Sequence, residues 1–299
     1  MNAEIDRLQK RICYCLSQEC EEAIEFTGVG YQGEDSLVVF VSALTPAVET
    51  WRQNLGAHLS SRVATRKGNF IADYAHDFIS EESSELPVDS GAVGLRRGSR
   101  VGGGSVGCFL LNERDERFLV SSQHSNGGVR SEAKSGSKVI GSVAAIGDLS
   151  DPQVSSKVVD AALIRLLNTT DDRSGSFCNT ADRLTGRLVS VAYRDIVEKC
   201  GQKTSRTVGE VFVTEACVLI DAGGLKGVKF EHQIIVTNKD GRVFAKPGDS
   251  GSLVTKNGDA VGIWMGFDED QEYFAVNPMD WVLCRLSQNS SNTLRIKAI

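Results

Sequence analysis

The sequence predicts a mainly-β protein: a body of short strands behind a small α+β segment. Three observations carry this. From about residue 90 onward, short runs rich in Val, Ile, Leu and Phe recur between Gly, Ser, Asn and Asp clusters, the signature of an all-β sandwich or barrel. Before residue 88 the pattern is different, with helical spacing at Ile5, Leu8, Ile12 and Leu16 followed by isolated strand runs. Near the end, Asn277-Pro278 precedes apolar residues three and four apart, which reads as a capped closing helix.

The elements follow in order. A first helix runs through Ile5 to Leu16, with Asn2 or Asp6 as its cap. Ala23–Thr27 and Ser36–Val41 read as strands, with Gly28-Val29-Gly30-Tyr31-Gln32-Gly33 between them. That run matches GxGxxG, but dinucleotide binding needs a helix directly after the glycines. A β-branched strand follows instead, so the run is read as a hairpin. Thr45-Pro46 opens a second helix with the stripe Val48, Trp51, Leu55 and Leu59, and Val63–Ala75 is a further strand through Phe70 and Ile71. Acidic, serine-rich residues 79–90 read as a linker. Strand runs then include Gly107–Leu111, Phe118–Ser121, Val139–Gly141, Leu163–Leu166, Leu188–Ala192, Glu210–Val213, Gln233–Val236, Gly251–Val254, Val261–Trp264 and Tyr273–Val276. The polar tail from Ser287 is expected to be loose.

A chain of 299 residues, 41% hydrophobic and 24% charged, can bury a sizeable core and divide into domains. Its net charge of −6 argues against general affinity for nucleic acid or anionic membranes. No apolar run approaches the ~20 residues needed to span a bilayer. The N-terminus is acidic and has no apolar leader, so a cytoplasmic setting is expected. In such a setting the eight cysteines are expected to be free thiols. Cys13, Cys15 and Cys20 lack metal-ligand spacing, and neither a metal nor a cofactor is expected.

The chemistry centres on Lys246-Pro247-Gly248-Asp249-Ser250-Gly251-Ser252. Glycines flanking this serine permit a tight turn that presents its hydroxyl and aligns backbone N–H groups. Asp-Ser-Gly is also ordinary turn chemistry, so its weight depends on a base and an acid elsewhere. Four histidines supply the choices. His58 and His76 lie in the N-terminal segment, and His232 sits inside a strand run. His124 closes the strand Arg117–Gln123 and opens the loop Ser125-Asn126-Gly127-Gly128, a good place for a catalytic group on a rigid scaffold. Asp160 is a carboxylate inside the apolar run Lys157–Leu166, costly there unless paired.

With these residues in view, the chain from about 98 to 287 resembles the chymotrypsin/trypsin-fold serine peptidases. Val120-Ser121-Ser122-Gln123-His124 is similar to that family's histidine strand end, Asp160–Leu166 to its Asp-Ile-Ala-Leu-Leu-Arg-Leu stretch, and Gly248–Gly251 to its Gly-Asp-Ser-Gly. The resemblance implies two six-stranded antiparallel β-barrels with a C-terminal helix, Ser250 as nucleophile, His124 as general base and Asp160 as the orienting acid. It implies an oxyanion hole from the N–H groups of Gly248 and Ser250. Val197–Val211 is similar to a Val-x-Lys-x-Gly-x-x-Thr-x-x-Thr-x-Gly stretch that opens the second barrel in non-secreted trypsin-like peptidases of bacteria and plants, including the plant NARROW LEAF type. Those proteins often carry a small α/β segment before the barrels, and residues 28–41 look like its Gly-Val-Gly-Tyr turn.

Departures from the family pattern are informative. Ser125 stands where the family usually has a cysteine, so Cys108 lacks the disulfide partner the resemblance would imply. Arg100-Val101-Gly102-Gly103 mimics a zymogen cleavage site but lies too close to Cys108 to free a useful N-terminus, and is read as a glycine-rich turn. Gly103-Gly104-Ser105-Val106-Gly107 matches GxSxG without the strand-then-helix context of a nucleophile elbow.

The expected organisation is a small α+β N-terminal domain over 1–88, regulatory or partner-binding, a first barrel over 89–185 with His124 and Asp160, and a second over 186–299 with Ser250. The expected function is a regulated intracellular serine endopeptidase acting on protein or peptide substrates. The alternative is a catalytically silent protease-fold scaffold. For the substrate pocket, Phe244, Ala245, Lys246 and Trp264 are the candidates. Phe244 disfavours a Lys/Arg-cutting enzyme and Lys246 would suit acidic side chains; the sequence chooses neither.

Overall fold

The computed structural model describes residues 3–16, 24–72, 93–97, 100–147, 149, 158–167, 170–176, 184–222 and 224–298. The linker assigned to 79–90, His76, Cys20 and Cys178 lie outside them. The N-terminal part comprises α1 (Ala3–Cys15), β1 (Phe26–Tyr31), β2 (Leu37–Val41), α2 (Pro46–Asn54), α3 (Ala57–Ser60), β3 (Val63–Lys67) and β4 (Phe70–Ala72). The body begins with β5 (Val93–Arg97), β6 (Arg100–Val101), β7 (Gly104–Ser105), β8 (Cys108–Leu111) and β9 (Arg117–Ser121). It continues with β10 (Glu132–Ser135), β11 (Lys138–Ile146), β12 (Ala162–Leu166), β13 (Thr170–Ser176), β14 (Ile196–Gly201), β15 (Ser205–Ala222) and β16 (Leu225–Asn238). The last elements are β17 (Leu253–Lys256), β18 (Asp259–Asp268), β19 (Tyr273–Pro278), α4 (Met279–Ser290) and β20 (Arg295–Ile296). No helix among the described residues is long and apolar enough to cross a membrane.

The first sheet of the body runs in the order β10-β11-β12-β9-β8-β20. β8, β9 and β12 are buried at nearly every position, which is why they read as continuous apolar runs. Alternation still sorts them: Phe109, Leu119, Ala162 and Ile164 fill the sheet's own interior. Leu110, Phe118, Val120 and Leu163 face a second cluster shared with Leu253, Ile263 and α4. In the second half β14, β17, β18, β19, β16 and β15 form a ring of six strands, closed by the β14–β15 pairing. Val197, Phe244, Trp264 and Phe274 lie in its core.

The N-terminal strands join that same sheet. β15 is 18 residues long and continues past the ring to pair with β1, after which β2 and β3 follow. Glycines allow the close approach: a Cβ at Gly30 would lie 2.2 Å from Val213 Cγ1, and one at Gly28 2.7 Å from Val218 Cγ1. The GxGxxG run is thus a hairpin, as its β-branched sequel predicts. α1 lays Ile5, Leu8 and Ile12 on β1 and β2.

Several expectations need correction. Val63–Ala75 does not form one strand; Gly68 and Asn69 separate β3 from β4. The tail is not loose, because Leu294 and Ile296 are buried and β20 pairs with β8. The cysteines are not all thiols: Cys13 on α1 and Cys217 on β15 are disulfide-bonded, with Cα atoms 5.9 Å apart, a spacing that allows a disulfide. Packing of the apolar face of α1 against the sheet brings together cysteines that no local spacing pairs.

Candidate active site

Register brings His124 to Asp160. β9 and β12 pair with Ser121 opposite Ala162, so the residues just past one strand meet those just before the other. The Asp160 side chain is fully buried. Its Oδ1 accepts the backbone N–H groups of Gln123 at 2.8 Å and His124 at 3.0 Å. Its Oδ2 takes a short hydrogen bond from His124 Nδ1. A carboxylate at Nδ1 selects the tautomer with its proton there and puts the lone pair on Nε2. The turn holding His124 is pinned by Asn126, whose Nδ2 donates to Ser121 Oγ at 3.0 Å and Ser122 O at 2.9 Å.

Asn277 was expected to cap the closing helix. Instead β19 runs on through Pro278 and the helix starts at Met279. The buried Asn277 side chain accepts the Asp160 N–H at 3.4 Å, a tertiary use that outweighs its local capping preference.

The loop carrying Ser250 is shaped by two left-handed glycines, Gly248 at φ 95° and Gly251 at φ 87°. A side chain would be strained at either. A Cβ on Gly251 would also lie 2.5 Å from both Ser121 Oγ and Ser122 N, so the loop abuts the strand end that leads into His124. The Arg100–Ser105 segment is the predicted turn, a β6–β7 hairpin that ties the two sides. Ser105 N donates to Ser250 O at 2.7 Å, Ser105 Oγ to Gly248 O at 3.0 Å, and Gly103 N to Ser125 O at 3.0 Å. The Ser250 hydroxyl is buried and makes no hydrogen bond among the described residues.

Asp249 faces the other way and is fully buried. Lys199 Nζ donates to its Oδ2 at 2.9 Å, and Thr204 Oγ1 donates to the same oxygen at 2.6 Å. The backbone N–H groups of Lys203 and Thr204 reach Oδ1 at 2.7 and 3.2 Å, and that of Lys246 reaches Oδ2 at 3.1 Å. Burial pushes the Lys199 ammonium below its ordinary pKa, and the Asp249 carboxylate draws it back up. Its Nζ also lies 5.6 Å from the Phe244 ring centroid. Sequence reading did not assign a role to Lys199, Thr204 or Ser105. The signal was a lysine inside a strand run, in the Val197–Val211 stretch.

The pocket candidates divide. Phe244, Ala245 and Trp264 sit in the core of the six-stranded ring, and Lys246 is exposed. His232 lies away from these groups, its Nδ1 bonded to the Glu215 carboxylate and its ring stacked on Trp281 at 4.3 Å.

No family model matches the sequence, and no curated protein matches it. Solved structures do match the fold. A protease from Nocardiopsis, NAPase, is 16% identical and superposes with a TM-score of 0.50 over 69% of this chain and all of its own. Protease A of Thermobifida fusca is 15% identical, with a TM-score of 0.52 over 69% of this chain and all of its own. The fold is that of the chymotrypsin/trypsin-type serine proteases. At this identity the architecture is what is shared: a mainly-β body with the closing helix α4.

Proposed function

We propose that this chain is a serine endopeptidase. Ser250 Oγ attacks the scissile carbonyl carbon while His124 Nε2 takes its proton, and the resulting imidazolium is stabilised by Asp160. The N–H groups of Gly248 and Ser250 receive the oxyanion. The proton then passes to the leaving amine as the C–N bond breaks, and water hydrolyses the acyl-enzyme with the same base. The observation that carries this reading is the buried His124–Asp160 hydrogen bond, held from Asp160's second oxygen by two backbone N–H groups. Protein or peptide substrates follow from that chemistry. A regulatory role for residues 1–88 is supported by the sheet that β1–β3 share with β15.

A fluorophosphonate probe tests the proposal. Wild type should be labelled and Ser250→Ala should not; a folded wild type that stays unlabelled would sink it. A second reading, a protease-fold scaffold without catalysis, is favoured by the complete burial of Ser250 and predicts that negative result.

A further inference from the structure

One strand of the N-terminal part lies on the β18 edge that leads to the nucleophile loop. At Gly266 and Phe267, β18 pairs with β19 along one edge and with β4 along the other. The β4 edge is the one that β17 covers further along, since β17 pairs with β18 from Lys256↔Asp259 to Leu253↔Ile263. Between β17 and β4 on this edge stands the nucleophile loop. Trp264 accepts the Gly251 N–H through its carbonyl at 2.9 Å and donates its own N–H to Ser252 O at 3.0 Å.

Direction matters here. β4 is antiparallel to β18, with Phe70 opposite Asp268, Ile71 opposite Phe267 and Ala72 opposite Gly266. Its chain therefore advances towards Trp264, in line with β17, and Ala72 stops two positions short of the residue bonded to the Ser250 loop. At ~3.3 Å per extended residue that gap is roughly 7 Å. Any extended peptide added to this edge in the same direction would deliver its next peptide bonds to Ser250. Strand addition also supplies main-chain hydrogen bonds without regard to side chain, which suits an endopeptidase.

The fit of β4 is close. A Cβ on Gly266 would lie 2.5 Å from Ile71 O. Glu269 N donates to Asn69 O at 3.0 Å, and Lys67 Nζ lies 3.0 Å from an Asp270 oxygen. Ile71 packs on the ring core that holds Phe244 and Trp264, while Phe70 packs edge-on to Phe40 at 5.3 Å.

We propose that Phe70–Ala72 is a built-in competitor for the substrate segment that precedes the scissile bond, holding the Gly266–Asp268 edge of β18 that such a segment needs. This rests on the serine endopeptidase reading above. Held on the same molecule, β4 acts at a high effective concentration, so extended substrates must displace it, whereas a small reagent needs only a local opening at the buried Ser250.

Two probes with phosphorus warheads separate these claims in the full chain: a small alkyl fluorophosphonate, and a mixture of tripeptidyl phosphonates with varied side chains. Ile71→Pro removes an N–H from β4 and should speed the tripeptidyl reaction on the order of tenfold or more, leaving the alkyl rate unchanged. In wild type, amide hydrogen exchange across 69–72 should be slow before the tripeptidyl probe and fast once it is attached. This second measurement decides the matter if Ile71→Pro does not fold. A wild type that takes the alkyl probe but refuses the tripeptidyl mixture supports the proposal too when folded Ile71→Pro accepts that mixture. Equal tripeptidyl rates in both proteins, or slow exchange across 69–72 with the tripeptidyl probe in place, would overturn it. Failure of folded wild type to take either probe instead overturns the endopeptidase reading, and the competitor falls with it.

Discussion

Lys199 donates to Asp249 at 2.9 Å with both side chains fully buried, and Asp249 is the neighbour of Ser250 in the chain. The pair anchors the nucleophile loop from beneath through a bond internal to the second half of the fold. It answers what holds this carboxylate in a chain whose Arg100–Gly103 segment forms a hairpin rather than a cleavage site.

Lys199→Met should be costly. It leaves a buried carboxylate without its countercharge, and breaking one side of a buried pair costs about 3–5 kcal/mol. Urea unfolding of wild type and variant measures the loss. In folded variant, labelling of Ser250 by a fluorophosphonate should also slow, because Gly248 and Ser250 flank the released side chain.

Asp160→Asn should preserve the fold better than it preserves catalysis. The amide oxygen can still accept both backbone N–H groups now held by Oδ1, but the amide nitrogen no longer holds the Nδ1–H tautomer of His124. Turnover of a peptide substrate should fall by roughly 10³–10⁴-fold with a smaller change in KM, measured by steady-state kinetics on a substrate found by profiling new N-termini.

Tyr31 makes alkaline stability testable. Burial, and then its hydrogen bond to Asp6 at 3.2 Å, push its phenol up to about 12. The folded state thus holds this proton above the pH at which the unfolded chain releases it near 10. That contribution is fully present below pH 10 and is lost as pH rises through 12. Wild type should lose more stability than Tyr31→Phe between those limits, read from urea midpoints across the range.

Cys13→Ser removes a bond between residues 204 apart in sequence. Loss of a cross-link over so long a loop should cost about 2–4 kcal/mol, felt first where α1 meets β15. A reductant should lower the wild-type urea midpoint by more than it lowers the variant's.

Much of this is legible in the chain. The continuous apolar runs of β8, β9 and β12 mark strands buried on both faces, and the glycines at 248 and 251 mark a turn no other residue would make easily. A histidine three residues past β9 and an aspartate two residues before β12 are visible as candidates. Asn277 is where local reasoning misleads: its capping preference is real, but a buried carboxylate's backbone N–H needed an acceptor.

By itself the sequence determined the mainly-β class, the order of the strands, and the three short stretches around His124, Asp160 and Ser250. Only the tertiary structure decided that Lys199 meets Asp249, that Cys13 meets Cys217, that β1–β3 continue the sheet of the second half, and that β4 lies against β18 beside the nucleophile loop. The physical reason is the range of the forces. Periodicity and turn chemistry act over a few residues and say which face of a strand is apolar. Which edge pairs with which is settled by packing between segments up to two hundred residues apart, where backbone hydrogen bonds are indifferent to sequence and shape alone selects the partner.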